Sequence, residues 1–264
     1  MRILSLGWGV QSWTLAAMIA TRELPPIDYA IHADTTHEAS GTYHHAREWT
    51  PWLEDRGVKV VTVRGKRTDV LEQWRNSSSV MIPAFTTDRK TGKHGQVRRQ
   101  CTYEWKIMPI RAFIRNRLKE RHLRMTPGAV TSLQGISLDE YQRMRDSDVA
   151  YIVNEYPLVE ARITRKDCIS WLESHSLPVP PKSACTFCPY HGLAAWKTLK
   201  RQGGQDWTEA VAVDEAIRDK RPIGDLFVHP ARRPLEEAIR IPEDVGATQL
   251  SLDDVPCDGG SCFV

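Results

Sequence analysis

Apolar positions come first as a short unbroken run, Ile3-Leu4-Ser5-Leu6, and then at helical spacing from Trp13 to Ala20. The run reads as a buried strand, and Gly7-Trp8-Gly9-Val10-Gln11-Ser12 as the tight turn that joins it to the helix. A second strand is predicted over Tyr29-Ala30-Ile31-His32-Ala33, ending at Asp34-Thr35-Thr36. Residues 40–56 follow as an amphipathic helix carrying His44, His45, Trp49 and Trp52, and Val58 to Val63 as a third strand. This alternation of strand and helix implies a parallel sheet with right-handed crossovers.

Further along, residues 76–100 are polar and Gly-containing and read as a loop. Ile107 to Leu118 returns to helix, and Ala129 to Ile136 is a strand running into a loop. A helix is predicted from Arg165 to His175, with Trp171 and Leu172 on its apolar side. Residues 177–182 are Pro-rich and extended, 193–220 helical, and the tail from Arg240 irregular. The expected class is α/β: a parallel twisted sheet flanked by helices, followed by a C-terminal cysteine-bearing helical extension. The expected division is 1–183 for the α/β domain and 184–264 for the extension.

Composition narrows the function classes. A hydrophobic content of 41% over 264 residues supports a sizeable core, which argues against a disordered chain. There is no run of 18 apolar residues, so no membrane span is expected, and the N-terminus lacks a secretory pattern. The expected location is cytoplasmic, where thiols stay reduced. The net charge of +3 says little, but basic residues cluster: Arg98, Arg99, Lys106, Arg111, Arg115, Arg117, Arg121 and others over 89–124, then Arg162, Arg165 and Lys166, then Lys197, Lys200 and Arg201. Such clusters suit nucleotide phosphates or a nucleic acid backbone, while 111–124 also fits an ordinary solvated helix face. Oligomerisation is left open.

Cysteine spacing carries the sharpest chemistry. Cys185-Thr186-Phe187-Cys188 places two thiols where one turn grips one metal centre. Cys101 is a third candidate ligand, and Cys257 or Cys262 in the tail a fourth, with Cys262 favoured. Four soft thiolates select a 4Fe-4S cluster, with zinc as the runner-up. A short-range disulfide or unpaired buried thiols would account for the same residues. The linker Asp258-Gly259-Gly260-Ser261 lets the two tail thiols take different tasks, so Cys257 is the candidate catalytic thiol, a solvent-reachable sulfur carrier. Cys168 falls in a helical pattern and reads as a buried apolar residue.

The first strand–turn–helix is a phosphate-binding candidate through Gly7, Gly9 and Ser12, since glycines let backbone N–H groups approach an anion at a helix N-terminus. It is neither a Walker A loop nor a GxGxxG fingerprint. Gly7-Trp8-Gly9-Val10-Gln11-Ser12 resembles the Ser-Gly-Gly-x-Asp-Ser loop of the PP-loop ATP-pyrophosphatases, the adenine nucleotide alpha hydrolase-like superfamily. Further matches resemble its PAPS-reductase-like branch, in order. They are His32-Ala33-Asp34-Thr35-Thr36-His37-Glu38, Cys101 to Pro109, Gly135-Ile136-Ser137-Leu138-Asp139-Glu140 with Arg143, Tyr156-Pro157-Leu158, and the Cys185 pair. The likeness extends over about residues 1–190. It departs where Gln11 replaces the usual Asp and Val10 the frequent Lys. Arg98, Arg99 or Lys106 are candidates to supply the missing cation.

The resemblance implies an ATP-using enzyme of sulfur transfer, similar to the sulfurtransferase-type proteins of DNA phosphorothioation. It implies adenine and ribose near Ser5, Gly7 and Asp34, and Mg²⁺ bridging the phosphates with Asp34 in contact with the ion directly or through water. Gly9, Gln11, Ser12, Gly135 and Arg143 complete the implied nucleotide set, and Trp8 could stack on adenine. The implied partners are a nucleic acid acceptor, DNA or tRNA, and a cysteine desulfurase as sulfur donor. Two rival readings follow from the departures: sulfonucleotide reduction by a C-terminal thiol, and a non-catalytic cluster-bearing nucleic-acid-binding module.

Overall fold

The computed structural model describes residues 1–66, 69–76, 79–222 and 224–239. The tail that carries Cys257 and Cys262 lies outside the described residues. Eight strands form among those described: β1 (Arg2–Ser5), β2 (Tyr29–Asp34), β3 (Val60–Arg64), β4 (Phe85–Asp88), β5 (His94–Gln96), β6 (Val130–Leu133), β7 (Ile152–Glu155) and β8 (Gly224–Phe227). The helices are α1 (Val10–Ala20), α2 (Ser40–Glu54), α3 (Val70–Asn76), α4 (Met108–Glu120), α5 (Pro157–Glu160), α6 (Arg165–Ser174), α7 (Leu193–Gln202), α8 (Gly204–Ile217) and α9 (Leu235–Ala238). They make two compact units. The first takes Met1–Lys66 and Thr102–Ser183, and the second takes the described parts of Arg67–Cys101 and Ala184–Val255.

The first unit is the parallel α/β sheet the sequence implies. Its strand order is β3-β2-β1-β6-β7, with every pairing parallel. Alternation along β1 sorts its side chains between two cores. Leu4 packs with Trp13, Ala16, Leu133, Cys168 and Leu172, whereas Ile3 packs with Ile31, Ile110, Ile114, Leu118 and Val130. A sheet covered on both faces needs apolar residues at successive positions, which is why β1 reads as a continuous run. The helix α1 is buried along nearly its whole length, from Val10 to Ala20. Thr164 and Asp167 form a reciprocal capping box that starts α6. Among the described residues, no helix is long and apolar enough to cross a membrane.

The second unit holds a three-stranded antiparallel sheet, β5-β4-β8. The segment 76–100 is therefore not a plain loop, because it supplies two of these strands. Their turn closes through Asp88, whose carboxylate accepts the N–H groups of Lys90 and Thr91, with Gly92 at φ +68. The helix expected over 193–220 breaks into α7 and α8 at Gly203 and Gly204, both at positive φ. The buried carboxylate of Asp214 on α8 accepts the N–H groups of Val228 and Leu235, tying β8 and the start of α9 to that helix. Gly224 lies so close to β4 that an added Cβ would stand 2.2 Å from the Thr87 carbonyl oxygen.

Candidate functional site

Three loops of the first unit end on one edge of the sheet, at the C-terminal ends of β1, β2 and β6. The strand order runs outward from β1 to β3 on one side and to β6 and β7 on the other. The crevice outside the ends of β1 and β6 is thus the topological switch point, where open α/β sheets take their ligands. Ser5 is buried at the end of β1, opposite Ile31. The turn after it is built by short-range bonds: Gly7 N–H donates to Ser12 Oγ at 3.2 Å, and Ser12 Oγ donates to the Gly9 carbonyl at 3.3 Å. Ser183 Oγ donates to the Gly7 carbonyl at 2.5 Å. Gly9 is the N-cap of α1 and has no side-chain cap, so the first turn's N–H groups face the crevice without a competing hydroxyl or carboxylate.

Gly135 is brought to the same place by β6. A Cβ there would lie 2.8 Å from Ser12 N and 2.9 Å from Ser12 Cα, so only glycine lets the β6 loop press on the start of α1. A Cβ on Gly9 would meet Ser183 Cβ at 3.6 Å, an ordinary contact. Gly135 thus answers a packing demand within the protein, whereas Gly9 leaves space in front of the helix. Gln11 Nε2 donates to Glu140 Oε2 at 3.2 Å and to Ser137 Oγ at 3.4 Å. Glu140 also pairs with Arg143 at 2.7 Å. Gln11, Ser12, Gly135 and Arg143 are therefore linked through Glu140 and the β6 loop, although they stand far apart in sequence.

At the end of β2, Asp34 is buried and fully engaged. One oxygen accepts Thr36 N–H at 2.7 Å and Tyr43 O–H at 2.7 Å, and the other accepts Arg64 Nη2 at 2.6 Å and Nε at 3.2 Å. Burial pushes its carboxyl up, but the bonds from Arg64, Tyr43 and Thr36 outweigh that and hold it below the usual carboxylate value. Burial and the Asp34 charge together raise the Tyr43 phenol. Beside this cluster, Glu38 is buried and pairs with Lys106 at 3.0 Å. Lys106 reaches it from a π-helical turn, Tyr103–Ile107, that leads into α4. His32 donates from Nδ1 to the Leu6 carbonyl at 3.1 Å, and burial lowers its pKa, which keeps the ring neutral.

The tryptophan of the loop is not available to a base. Trp8 is 1% exposed, stacks on Trp13 at 6.0 Å and meets His45 edge-on at 5.7 Å. Its backbone takes φ +57, which turns the indole inward and contradicts stacking on adenine. His45 belongs to the same aromatic core, whereas His44 is exposed and lies 3.6 Å from Glu48. Sequence reasoning missed Arg64, Tyr43 and Ser183, since only the β2–β3 register and the closed turn bring them to this edge. The basic run on α4 is largely spent on carboxylates. Arg111 pairs with Asp148, Arg117 with Glu120 at 2.6 Å, and Arg121 with Asp28 at 2.6 Å.

The three described candidate ligand thiols, Cys101, Cys185 and Cys188, fall in the second unit, each partly buried and none in a disulfide. Cys188 N–H donates to the Cys185 carbonyl at 3.1 Å, so the pair sits on a turn, and His191 Nε2 donates to that carbonyl at 2.9 Å. Thr186 binds Glu209 on α8 at 2.6 Å, and Phe187 packs edge-on against Trp74, which anchors the turn. The N–H of Cys101 donates to Met81 O at 3.0 Å, and the Arg99 guanidinium lies 5.5 Å from the Tyr190 ring. The segment before Cys101 thus meets the segment after Cys188. Among the described residues, no group of three or more His, Cys, Asp or Glu side chains is gathered at metal-holding geometry. Cys168 lies in the first unit's core, where burial pushes its thiol up to about 11, a reduced and unreactive group.

No protein-family model matches the sequence, and no curated protein matches it. Among solved structures the chain is similar to a phosphoadenylyl-sulfate (PAPS) reductase from Candida auris, solved as a phosphate complex. The identity is 13%, the match covers 70% of this chain and 79% of that one, and the TM-score is 0.43.

Proposed function

We propose that this chain is an ATP-using iron–sulfur enzyme of sulfur transfer, with a nucleic acid as acceptor. The observation that carries the nucleotide part is the switch-point crevice: Gly135 packs tightly against Ser12 while Gly9 leaves the uncapped start of α1 open. Uncapped N–H groups and the helix dipole favour phosphate there. The ordered motifs of the sequence point the same way. Adenylation of an acceptor oxygen releases pyrophosphate and converts that oxygen into a good leaving group, and a sulfur nucleophile then displaces AMP. In this reading Cys257 carries the sulfur as a persulfide supplied by a cysteine desulfurase: its outer sulfur bonds the acceptor as AMP leaves, and an external thiol reductant cleaves the resulting disulfide to free the product and Cys257. Since both oxygens of Asp34 already accept strong donors, Mg²⁺ travels on the nucleotide's phosphates and Asp34 organises the loop around them.

Cys101, Cys185, Cys188 and Cys262 would hold the cluster. Three partly buried thiols in one unit, two of them on one turn, are the soft donors it requires. Bound there, a cluster would supply a redox-active metal centre. Anaerobically purified protein should contain iron and sulfide, lost in Cys185→Ala, and should release pyrophosphate from ATP when acceptor and sulfur donor are present. Colourless protein holding one zinc would replace the cluster by a structural metal. Sulfite released from a sulfonucleotide without ATP would replace sulfur transfer by reduction.

A further inference from the structure

The loop that would bind phosphate carries no cation of its own. Val10 stands where a lysine is frequent in the sequence motif it resembles, and it is buried. Two other cations at this edge are committed. The side chain of Lys106 is 19% exposed and pairs with a wholly buried Glu38, and that of Arg143 is 15% exposed and pairs with Glu140. Arg64 differs, with a side chain that is 61% exposed. It starts from the last residue of β3, opposite Asp34, yet its guanidinium reaches across to the end of β2. Neighbouring strands lie about 4.8 Å apart, so the charge rests one strand from β1 and its loop.

The attachment is one-sided. Nε and one Nη2 hydrogen are spent on a single Asp34 oxygen, and the remaining N–H groups have no acceptor among the described residues. The base of the side chain is fixed as well. Gly65 packs so closely on the π-turn that a Cβ would stand 2.8 Å from the Glu104 carbonyl oxygen. A guanidinium oriented by a buried carboxylate on one side and open on the other suits a phosphate oxygen better than a mobile lysine does.

We infer that Arg64 binds the phosphate chain of the nucleotide, supplying the positive charge that Val10 does not, and that Asp34 is the positioning residue that aims it. This rests on the nucleotide reading of the same edge. The test is calorimetric titration of the wild type, Arg64→Ala and Arg64→Lys with ATP and, separately, with adenosine. A charge-assisted contact of this kind predicts about a tenfold to hundredfold loss of ATP affinity in Arg64→Ala, with adenosine affinity unchanged within about twofold. Arg64→Lys should fall between the two. Arg64→Met keeps the aliphatic stem without the charge, and should show the same selective loss if Arg64→Ala folds poorly. A wild type that binds ATP, with equal affinity in Arg64→Ala or with equal losses for ATP and adenosine, overturns the role of Arg64 alone. A wild type that does not bind ATP overturns it together with the nucleotide reading.

Discussion

The two units place their chemistry by different means. In the first, a parallel sheet delivers residues from distant stretches to one edge, where backbone packing locks them: Gly135 against Ser12, Gly65 against Glu104, Arg64 onto Asp34. In the second, the cysteines sit on a short turn and at the end of an irregular segment, held by local contacts such as His191 to Cys185, Thr186 to Glu209 and Arg99 over Tyr190. The ligand set is not closed among the described residues. A sheet edge can be built by packing alone, whereas a thiolate site is completed by what it binds.

The largest effect expected on either unit is acid sensitivity. Each buries histidine held neutral by desolvation: His45, with His32 in the same unit, in the first and His229 in the second, with the pKa of His45 and of His229 lowered to about 4. An unfolded histidine takes its proton near 6.5, so between about 6.5 and 4 the unfolded chain binds more protons than the folded one. Stability is therefore full above the upper value and falls as pH drops through the window, by up to about 1.4 kcal/mol per pH unit for each ring. Asp34 adds a further loss as pH falls from the usual carboxylate value through its own lowered one, as protonation breaks its bonds to Arg64 and Tyr43. Denaturant midpoints at pH 7 and 5 should separate clearly. His45→Phe and His229→Asn should each remove one share of the slope, and slopes unchanged in both variants would mean that neither ring is protected.

A smaller effect separates the tight glycines from the open one. Gly224→Ala drives a methyl into the Thr87 carbonyl, and Gly135→Ala drives one into Ser12. Each should cost about 1–3 kcal/mol in thermal unfolding, with Gly224→Ala the greater. Gly9→Ala should leave the melting temperature close to the wild type. Equal melting temperatures for all three would show that the crevice is looser than its geometry implies.

The first unit was largely legible in the sequence because its central strands, β1, β2 and β6, are buried on both faces. Ile3-Leu4, Tyr29 to Ala33 and Val130 to Leu133 are apolar enough to show as strands without tertiary knowledge. β7 was not legible, since only Ile152 is buried and Val153 is 49% exposed. The hairpin of β4 and β5 was read as loop because its residues are polar and partly exposed, and its pairing with β8 spans well over a hundred residues. At the site, the glycines and Asp34 were visible as a motif. The arginine that Asp34 holds was not, because only the β2–β3 register makes them neighbours. The tryptophans favour core packing in the sequence, and Trp8 follows that rule despite its place in the loop, buried against Trp13.

The most direct test of the account is ATP affinity in wild type and Gly9→Val, measured by calorimetry alongside thermal unfolding. A Cβ at Gly9 would meet Ser183 Cβ at 3.6 Å, an ordinary contact and not a clash. A branched side chain there blocks phosphate from the start of α1, and its cost to the fold at this N-cap is read from the melting temperature. The account predicts ATP binding by the wild type, at least about a tenfold weaker affinity in Gly9→Val, and nearly equal melting temperatures. Equal ATP affinity in the two proteins would contradict it and place the nucleotide away from the β1–α1 turn.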